Sequence, residues 1–194
     1  PLPHVRAVDM REELRRGRRS IVSAALQALL TETIARREQA IIMLNRRGYS
    51  TFIMCRSCGA VMNCKICGLP LVYHANGSLI CHHCDLHAEV PTTCPICGSR
   101  YIKYFGSGTE KLEEELRNLF PQARIVRMDR DTTGHKLAHM EILTHFRQRT
   151  YDILLGTQMV AKGHDLPGVQ TVGIISADAS LNLPDFRAAE RCFM

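Results

Sequence analysis

The chain has 194 residues, 45% of them apolar, and carries a formal net charge of +6 from 25 Lys and Arg against 19 Asp and Glu. That length accommodates one ordinary domain and a small module. No apolar run approaches the ~20 residues needed to cross a bilayer, which excludes a membrane-spanning helix, and the apolar content is that of a folded chain rather than a disordered one.

The chain opens on Pro1-Leu2-Pro3 without an initiator Met and stops at Phe193-Met194 inside a predicted helix, so it reads as a piece of a longer protein. Arginines cluster at Arg15, Arg16, Arg18 and Arg19, at Arg36 and Arg37, and at Arg46 and Arg47. The first two clusters read as solvated helix faces. Apolar residues at Ile21, Ala24, Ala25, Leu29 and Ile34 follow a helical period and predict a helix over 20–37. Short apolar runs at 40–44 and 51–54 predict two strands.

Residues 55–100 are different in kind. Four Cys-x-x-Cys pairs, Cys55/Cys58, Cys64/Cys67, Cys81/Cys84 and Cys94/Cys97, use eight of the nine cysteines. A two-residue spacer turns both thiolates of a pair toward one ion, and two pairs complete a tetrahedral zinc site, so eight thiolates predict two structural zincs. Gly59, Gly68 and Gly98 follow three of the pairs and Asp85 the fourth; these residues enter left-handed backbone most readily. Disulfides call for an oxidising compartment and no signal peptide is visible. A redox site uses one such pair near a helix start, and iron–sulfur spacings do not match. Adjacent, crossed and nested pairings are all conceivable. Only five residues separate Cys58 from Cys64, whereas thirteen separate Cys67 from Cys81, near the usual ribbon spacing. That spacing favours nesting: an inner site of Cys64, Cys67, Cys81 and Cys84, and an outer site of Cys55, Cys58, Cys94 and Cys97. Eight thiolates and two divalent ions bring the net charge to about +2, so overall charge is a weak argument for nucleic acid.

Beyond the module, 101–105 reads as a strand and 109–120 as a charged helix, capped by Thr109 and stopped by Pro121. A strand at 125–128, a helix at 135–147, strands at 153–155 and 172–175, and a helix from near Asp185 follow. Helix and strand alternate and the strands lack polar alternation, which predicts an α/β domain with a mostly parallel sheet and helices on both faces. Residues 1–54 and 101–194 would form this body, interrupted by the module at 55–100.

Open parallel sheets bind ligands at the carboxyl ends of their strands. Three segments occupy such places: Asn45-Arg46-Arg47-Gly48-Tyr49, Gly106-Ser107-Gly108-Thr109, and Gly156-Thr157 running on to Gly163-His164-Asp165. Glycine–hydroxyl turns before helices offer free backbone N–H groups to phosphate. No segment ends in the Gly-Lys-Ser/Thr of a Walker A loop, so this chain alone should not hydrolyse a nucleotide.

In combination these motifs are specific. Asn45-Arg-Arg-Gly-Tyr49, the four Cys pairs, Gly106-Ser-Gly-Thr109, Asp152-Ile-Leu-Leu-Gly-Thr-Gln-Met-Val-Ala-Lys-Gly-His-Asp165 and Leu183-Pro-Asp-Phe-Arg-Ala-Ala-Glu-Arg191 closely resemble the primosomal replication-restart helicases of bacteria, over essentially the whole chain. The resemblance implies a second RecA-like helicase lobe with an inserted zinc module, from an ATP-dependent superfamily 2 DNA helicase that moves 3′ to 5′ at stalled forks. It implies nested zinc sites. Thr157 resembles a residue contacting a strand phosphate, and Thr109 a second such contact. Gly163 and Asp165 resemble residues lining the nucleotide cleft, with Asp165 near the ribose; Arg46 and Arg47 lie in a matching DNA-binding segment. ATP and Mg2+ would be cofactors of the whole protein. Its partners would be forked or single-stranded DNA, primosome proteins and single-stranded-DNA-binding protein, in the bacterial cytoplasm at the nucleoid. The first-lobe Walker motifs and a downstream Gln-x-x-Gly-Arg-x-Gly-Arg stretch do not occur here, so the isolated piece should be inactive.

A competing reading is a zinc-ribbon adaptor on an inert α/β domain, for which residues 152–165 have no use. A redox protein built on the Cys pairs is a third; finding two zincs and no free thiols in those pairs would exclude it. His82 and His83, inside a pair, are not needed as ligands; His135, His139 and His145 lack a flanking carboxylate pattern for a third metal. His164 beside Asp165 has no nucleophile near it in sequence, and Cys192 reads as a small buried apolar residue.

Overall fold

The computed structural model describes residues 3–44, 51–74, 76–105, 108–129, 136–161, 165–177, 187 and 190. Helix α1, Met10–Arg15, starts where the Asp9 carboxylate accepts the Arg11 N–H at 2.8 Å. Helix α2, Ala24–Ala35, begins later than its apolar period suggests, because the Ser23 hydroxyl accepts the Leu26 N–H. Glu13 of α1 is buried and takes the Ala24 N–H at 2.8 Å. The chain continues through β1 (Gln39–Leu44), β2 (Thr51–Cys55), β3 (Val72–Tyr73), β4 (Ser78–Ile80), β5 (His87–Glu89), β6 (Ile102–Phe105), α3 (Thr109–Leu119), β7 (Ile125–Met128), α4 (Lys136–Arg147), β8 (Ile153–Gly156), a 3-10 turn (Gln158–Ala161) and β9 (Val169–Ile175).

These strands form two sheets. The first is parallel, in the order β7-β8-β1-β9. Its interior strand β8 is buried at every residue, as expected where both faces are covered. Alternate residues supply the two cores. Ile153 and Leu155 pack with Leu30 of α2 and with Leu112 and Leu116 of α3. Leu154 points into the opposite core with Met128, Leu143, Phe146 and Val160, under α4. This is the expected α/β architecture with helices on both faces. At Gly173 a Cβ would lie 2.8 Å from both Leu26 and Ile42, so α2 sits too close to β9 for any side chain there. Beside it the hydroxyls of Thr33 and Thr171 share a 2.7 Å hydrogen bond. The other face of β9 leaves Val172 (61%) and Ile174 (51%) exposed.

The second sheet is antiparallel, in the order β5-β4-β3-β2-β6. Here the structure corrects the sequence reading, which assigned 51–54 and 101–105 to the α/β body. Strands β2 and β6 pair with each other, Phe52 opposite Phe105 through Cys55 opposite Ile102, and not with the parallel sheet. The physical reason is local: their far ends carry the first and last Cys pairs, which must face one another.

Both α2 and α4 end in the same way. Arg37 and Arg149 adopt left-handed backbone (φ 57° and 60°) just past each helix, and the next N–H, of Glu38 and of Thr150, returns to the carbonyls of Thr33 and His145 at 3.0 Å. Glycine usually fills such a position; an arginine there costs about 1 kcal/mol. Between the helix ends, the buried Gln39 side chain donates to the carbonyls of Phe146 (2.7 Å) and Tyr151 (2.8 Å), tying α4 to the start of β1.

Phe146 is fully buried and Met140, one and a half turns earlier on α4, is 61% exposed. In urea unfolding, Phe146→Ala should cost about 3–5 kcal/mol, whereas Met140→Ala should change stability by less than about 0.5 kcal/mol.

Candidate metal centre and strand-end site

The four Cys pairs are four copies of one turn. In each, the first Cys N–H donates to the carbonyl five residues on: Cys55 to Ala60, Cys64 to Leu69, Cys81 to Leu86 and Cys94 to Ser99, at 2.7–2.9 Å. The residue after the second Cys donates back to the first Cys carbonyl, from Gly59, Gly68, Asp85 and Gly98, at 2.8–2.9 Å. Closing that ring requires positive φ, and these four residues have φ of 82°, 73°, 57° and 69°. The expected glycine and aspartate roles are thus met.

The pairing is nested. Cys55, Cys58, Cys94 and Cys97 gather into one group and Cys64, Cys67, Cys81 and Cys84 into another. Thiolates about 2.3 Å from a tetrahedral ion stand about 3.8 Å apart. The sulfurs of Cys55 and Cys97, and of Cys58 and Cys94, are 3.7 Å apart. Those of Cys64 and Cys84, and of Cys67 and Cys81, are 3.4 Å apart, with Cys67 to Cys84 at 4.0 Å. Disulfide sulfurs lie about 2.05 Å apart. Both quartets are therefore able to hold a metal ion. Their sulfurs also form the module's interior: Cys55, Cys64, Cys81 and Cys94 are buried with Ile53, Met62, Leu71 and Leu79.

Backbone dipoles prepare the first thiol of three of these turns. The N–H groups of Cys67 and Ile66 pull Cys64 down to about 6. Those of Cys84 and His83 lower Cys81. At Cys55 burial pushes the thiol up, but the N–H groups of Cys58 and Ser57 outweigh it and bring the group to about 7. Four thiols without an ion cannot all ionise side by side. At Cys84 and Cys97 a backbone N–H, from Leu86 and Ser99 respectively, pulls down, but crowding by neighbouring thiols and burial push both up to about 12.

Histidines do not join either quartet. His82 turns away and its Nε2 lies 3.2 Å from that of His74. Among the described residues no third group capable of holding a metal assembles, and neither His139 nor His145 belongs to one.

The carboxyl edge of the parallel sheet carries the other expected residues. Gly156 ends β8 opposite Met128 of β7, and a Cβ on it would lie 2.5 Å from the Met128 carbonyl oxygen and 2.3 Å from Val160. The chain thus leaves the sheet in a turn only glycine permits, and Thr157 follows, half-buried. Thr109 is not the helix cap the sequence suggested: Gly108 is, without a side-chain bond. Thr109 is buried and its hydroxyl donates to the Asp129 carboxylate, just beyond β7. Arg127 lies 3.4 Å from that carboxylate. Asp129 went unnoticed in the sequence; its signal was an acid directly after a strand at the carboxyl edge. Asp165 is exposed before β9. Gly163, Arg46, Arg47, His164, Cys192, His135 and the Gly106-Ser107 pair lie outside the described residues.

Two outcomes follow for the metal centre. Chelation should open residues 55–100 to limited proteolysis while the sheet β7-β8-β1-β9 stays protected; cuts spread evenly along the chain would contradict this. Because Cys84 and Cys97 are protonated at neutral pH without metal, reloading at pH 7 should release at least their two protons, and affinity should rise with pH. Calorimetry in buffers of different ionisation enthalpy reads both.

The Helicase conserved C-terminal domain family matches residues 97–189. Replication restart protein PriA of Bacillus subtilis (strain 168) is 53% identical over 193 residues, covering 99% of this chain and 24% of that relative. The protein of the same name from Synechocystis sp. is 50% identical over 199 residues, covering 100% and 24%. That from Treponema pallidum is 42% identical over 194 residues, covering 98% and 28%. The chain spans about a quarter of the length of these curated relatives. Over that quarter, with its helicase C-terminal domain and eight-cysteine insertion, the chain belongs to the replication restart protein PriA family.

Proposed function

We propose that this chain is the second lobe of an ATP-dependent DNA helicase that acts 3′ to 5′ in replication restart. Its RecA-like body comprises residues 1–50 and 106–194, and a zinc module of residues 56–101 stands on β2 and β6 as a stalk. The observation that carries this reading is the carboxyl edge of the parallel sheet, where Gly156-Thr157 leaves β8 beside Met128 and Asp129 of β7.

Thr157 grips one phosphate of a DNA strand. Thr109 contributes differently from what a hydroxyl contact requires, because its side chain is spent on Asp129. That bond sets the first turn of α3, whose free N–H groups and dipole favour an anion, and Arg127 offsets the Asp129 charge. Arg46 and Arg47 add cationic contacts to the strand. Gly163 and Asp165 line half of the nucleotide cleft. ATP with Mg2+, shared with a first lobe, supplies the free energy that closes and opens the pair of lobes on the strand.

Zinc is the ion that four thiolates at these separations suit, and eight thiolates take two. The module then serves as a rigid platform at the fork. The whole protein acts in the bacterial cytoplasm on forked or single-stranded DNA, with primosome proteins and single-stranded-DNA-binding protein as partners. An adaptor without motor activity has no use for the turn at Gly156.

In the intact protein, Thr157→Ala should lower DNA-stimulated ATP hydrolysis and unwinding by about 2- to 10-fold, the worth of one hydrogen bond of about 0.5–1.5 kcal/mol, with both metals retained. Normal unwinding in that variant would remove Thr157 from the strand path.

A further inference from the structure

The amino edge of the parallel sheet, opposite the proposed motor face, holds a cleft of about 520 Å³ lined by Ile34, Arg37, Gln39, Arg124, Arg149 and Asp152. Its three arginines come from three elements. Arg124 precedes β7, and Arg37 and Arg149 follow α2 and α4, which lie on opposite faces of the sheet. The geometry points to a second DNA-binding place here, taking phosphate groups of a duplex backbone between Arg37 and Arg149, beside the Arg124–Asp152 pair. This rests on the proposed function for the identity of its partner, and it extends that function to a face the motor chemistry does not use.

Three observations carry it. First, Arg37 and Arg149 both occupy left-handed positions where glycine would relax the backbone. Two separate helices keep a strained arginine and aim it at one cleft, and such outliers gather at binding sites. Second, only the Arg124 charge there is spent internally. Asp152 is engaged by Arg124, whose Nη2 and Nε donate to it at 2.7 and 3.1 Å and whose backbone N–H donates at 2.8 Å. Among the described residues no carboxylate pairs with Arg37 or Arg149; the one bond between them is a long one, from Arg149 Nη1 to the Arg37 carbonyl at 3.4 Å. The strained arginines therefore face solvent with no carboxylate partner among the described residues, and apart from that long bond their guanidinium groups are open to planar, two-pronged contact with phosphate oxygens. Third, five of the six lining residues are polar or charged and Ile34 is the one apolar side chain among them, so the cleft offers an acidic peptide charge but no large apolar anchor site.

Strand β8 has four residues, about 13 Å at 3.3 Å each. A duplex arm resting on this edge would thus lie across the sheet from the strand held at Thr157, and one lobe would touch two parts of a fork.

The test uses the intact protein with Arg37→Gly and Arg149→Gly combined. Glycine suits both backbones, so the variant should melt no lower than the wild type, and zinc content should be unchanged. The slope of log affinity against log salt, measured on a forked DNA with a duplex arm, should flatten by about 0.9 for each phosphate released, about 2 in all. Binding to a short single strand should not change, while Thr157→Ala should weaken it. An unchanged slope in the glycine variant, with Thr157→Ala still impaired, overturns the inference and leaves the proposed function standing. A wild type that binds no DNA overturns both. If inorganic phosphate raises the melting temperature of the wild type and not of the variant, with the DNA slope unchanged, the cleft takes a free anion and the DNA inference fails. Loss of binding to an acidic peptide alone defeats it equally.

Discussion

Strands β2 and β6 run side by side, Cys55 at the end of one and the outer-site cysteines Cys94 and Cys97 just before the other. This pairing is the constraint on which the remaining architecture depends. It returns the chain close to where it left, so a module of some fifty residues interrupts the α/β body without breaking the register of its sheet. It also brings the first and last Cys turns face to face, which closes the outer quartet. The Ser57 and Ser99 hydroxyls add a 2.7 Å bond across the same junction. The inner quartet then needs only the short hairpin of β3 and β4 between its two turns.

Orientation is set by a second, polar layer. Arg56 sits between the two cysteines of the first turn and its guanidinium donates to the carbonyls of Arg19 (2.6 Å) and Ser20 (3.2 Å). The Arg19 guanidinium lies 5.6 Å over the Tyr101 ring, beside β6. Ser20 and the Ile21 N–H in turn bond Glu115 of α3. The metal-holding turn is thus connected to a helix of the parallel body through hydrogen bonds to backbone as well as through the covalent chain. Carbonyl acceptors suit this purpose, because they persist whatever side chains surround them.

Much of this was legible in the residues themselves, for identifiable reasons. Thiol pairs declare their chemistry through spacing, and the glycine or aspartate after each declares its turn, so the nested quartets followed from the lengths between them. The parallel strands were visible as short apolar runs, and β8 in particular had no polar residue to contradict burial. The sheet to which β2 and β6 belong was not legible, because a strand's composition reports burial and not its partner. Thr109 misled for a related reason: a threonine before a helical period usually caps it, and only the fold reveals Asp129 within reach. Arg37 and Arg149 were hidden because cations are ordinary at helix ends, whereas left-handed backbone at a non-glycine residue is a property of coordinates alone.

The central strand of the body, β1, finds its partners late. Ala40 lies against Ile153 and Thr171, so more than a hundred residues must leave the ribosome before β1 has a neighbour on either side. Pairings of such long range are slow to form, and until then an apolar strand waits with its backbone unmatched. The cysteine module lies wholly within that interval and its contacts are local. With metal bound the intervening chain would be drawn together and the loop left to close roughly halved, a gain of only about 0.6 kcal/mol in closure entropy. Metal uptake by the insertion would thereby shorten the loop that the carrying domain has to close.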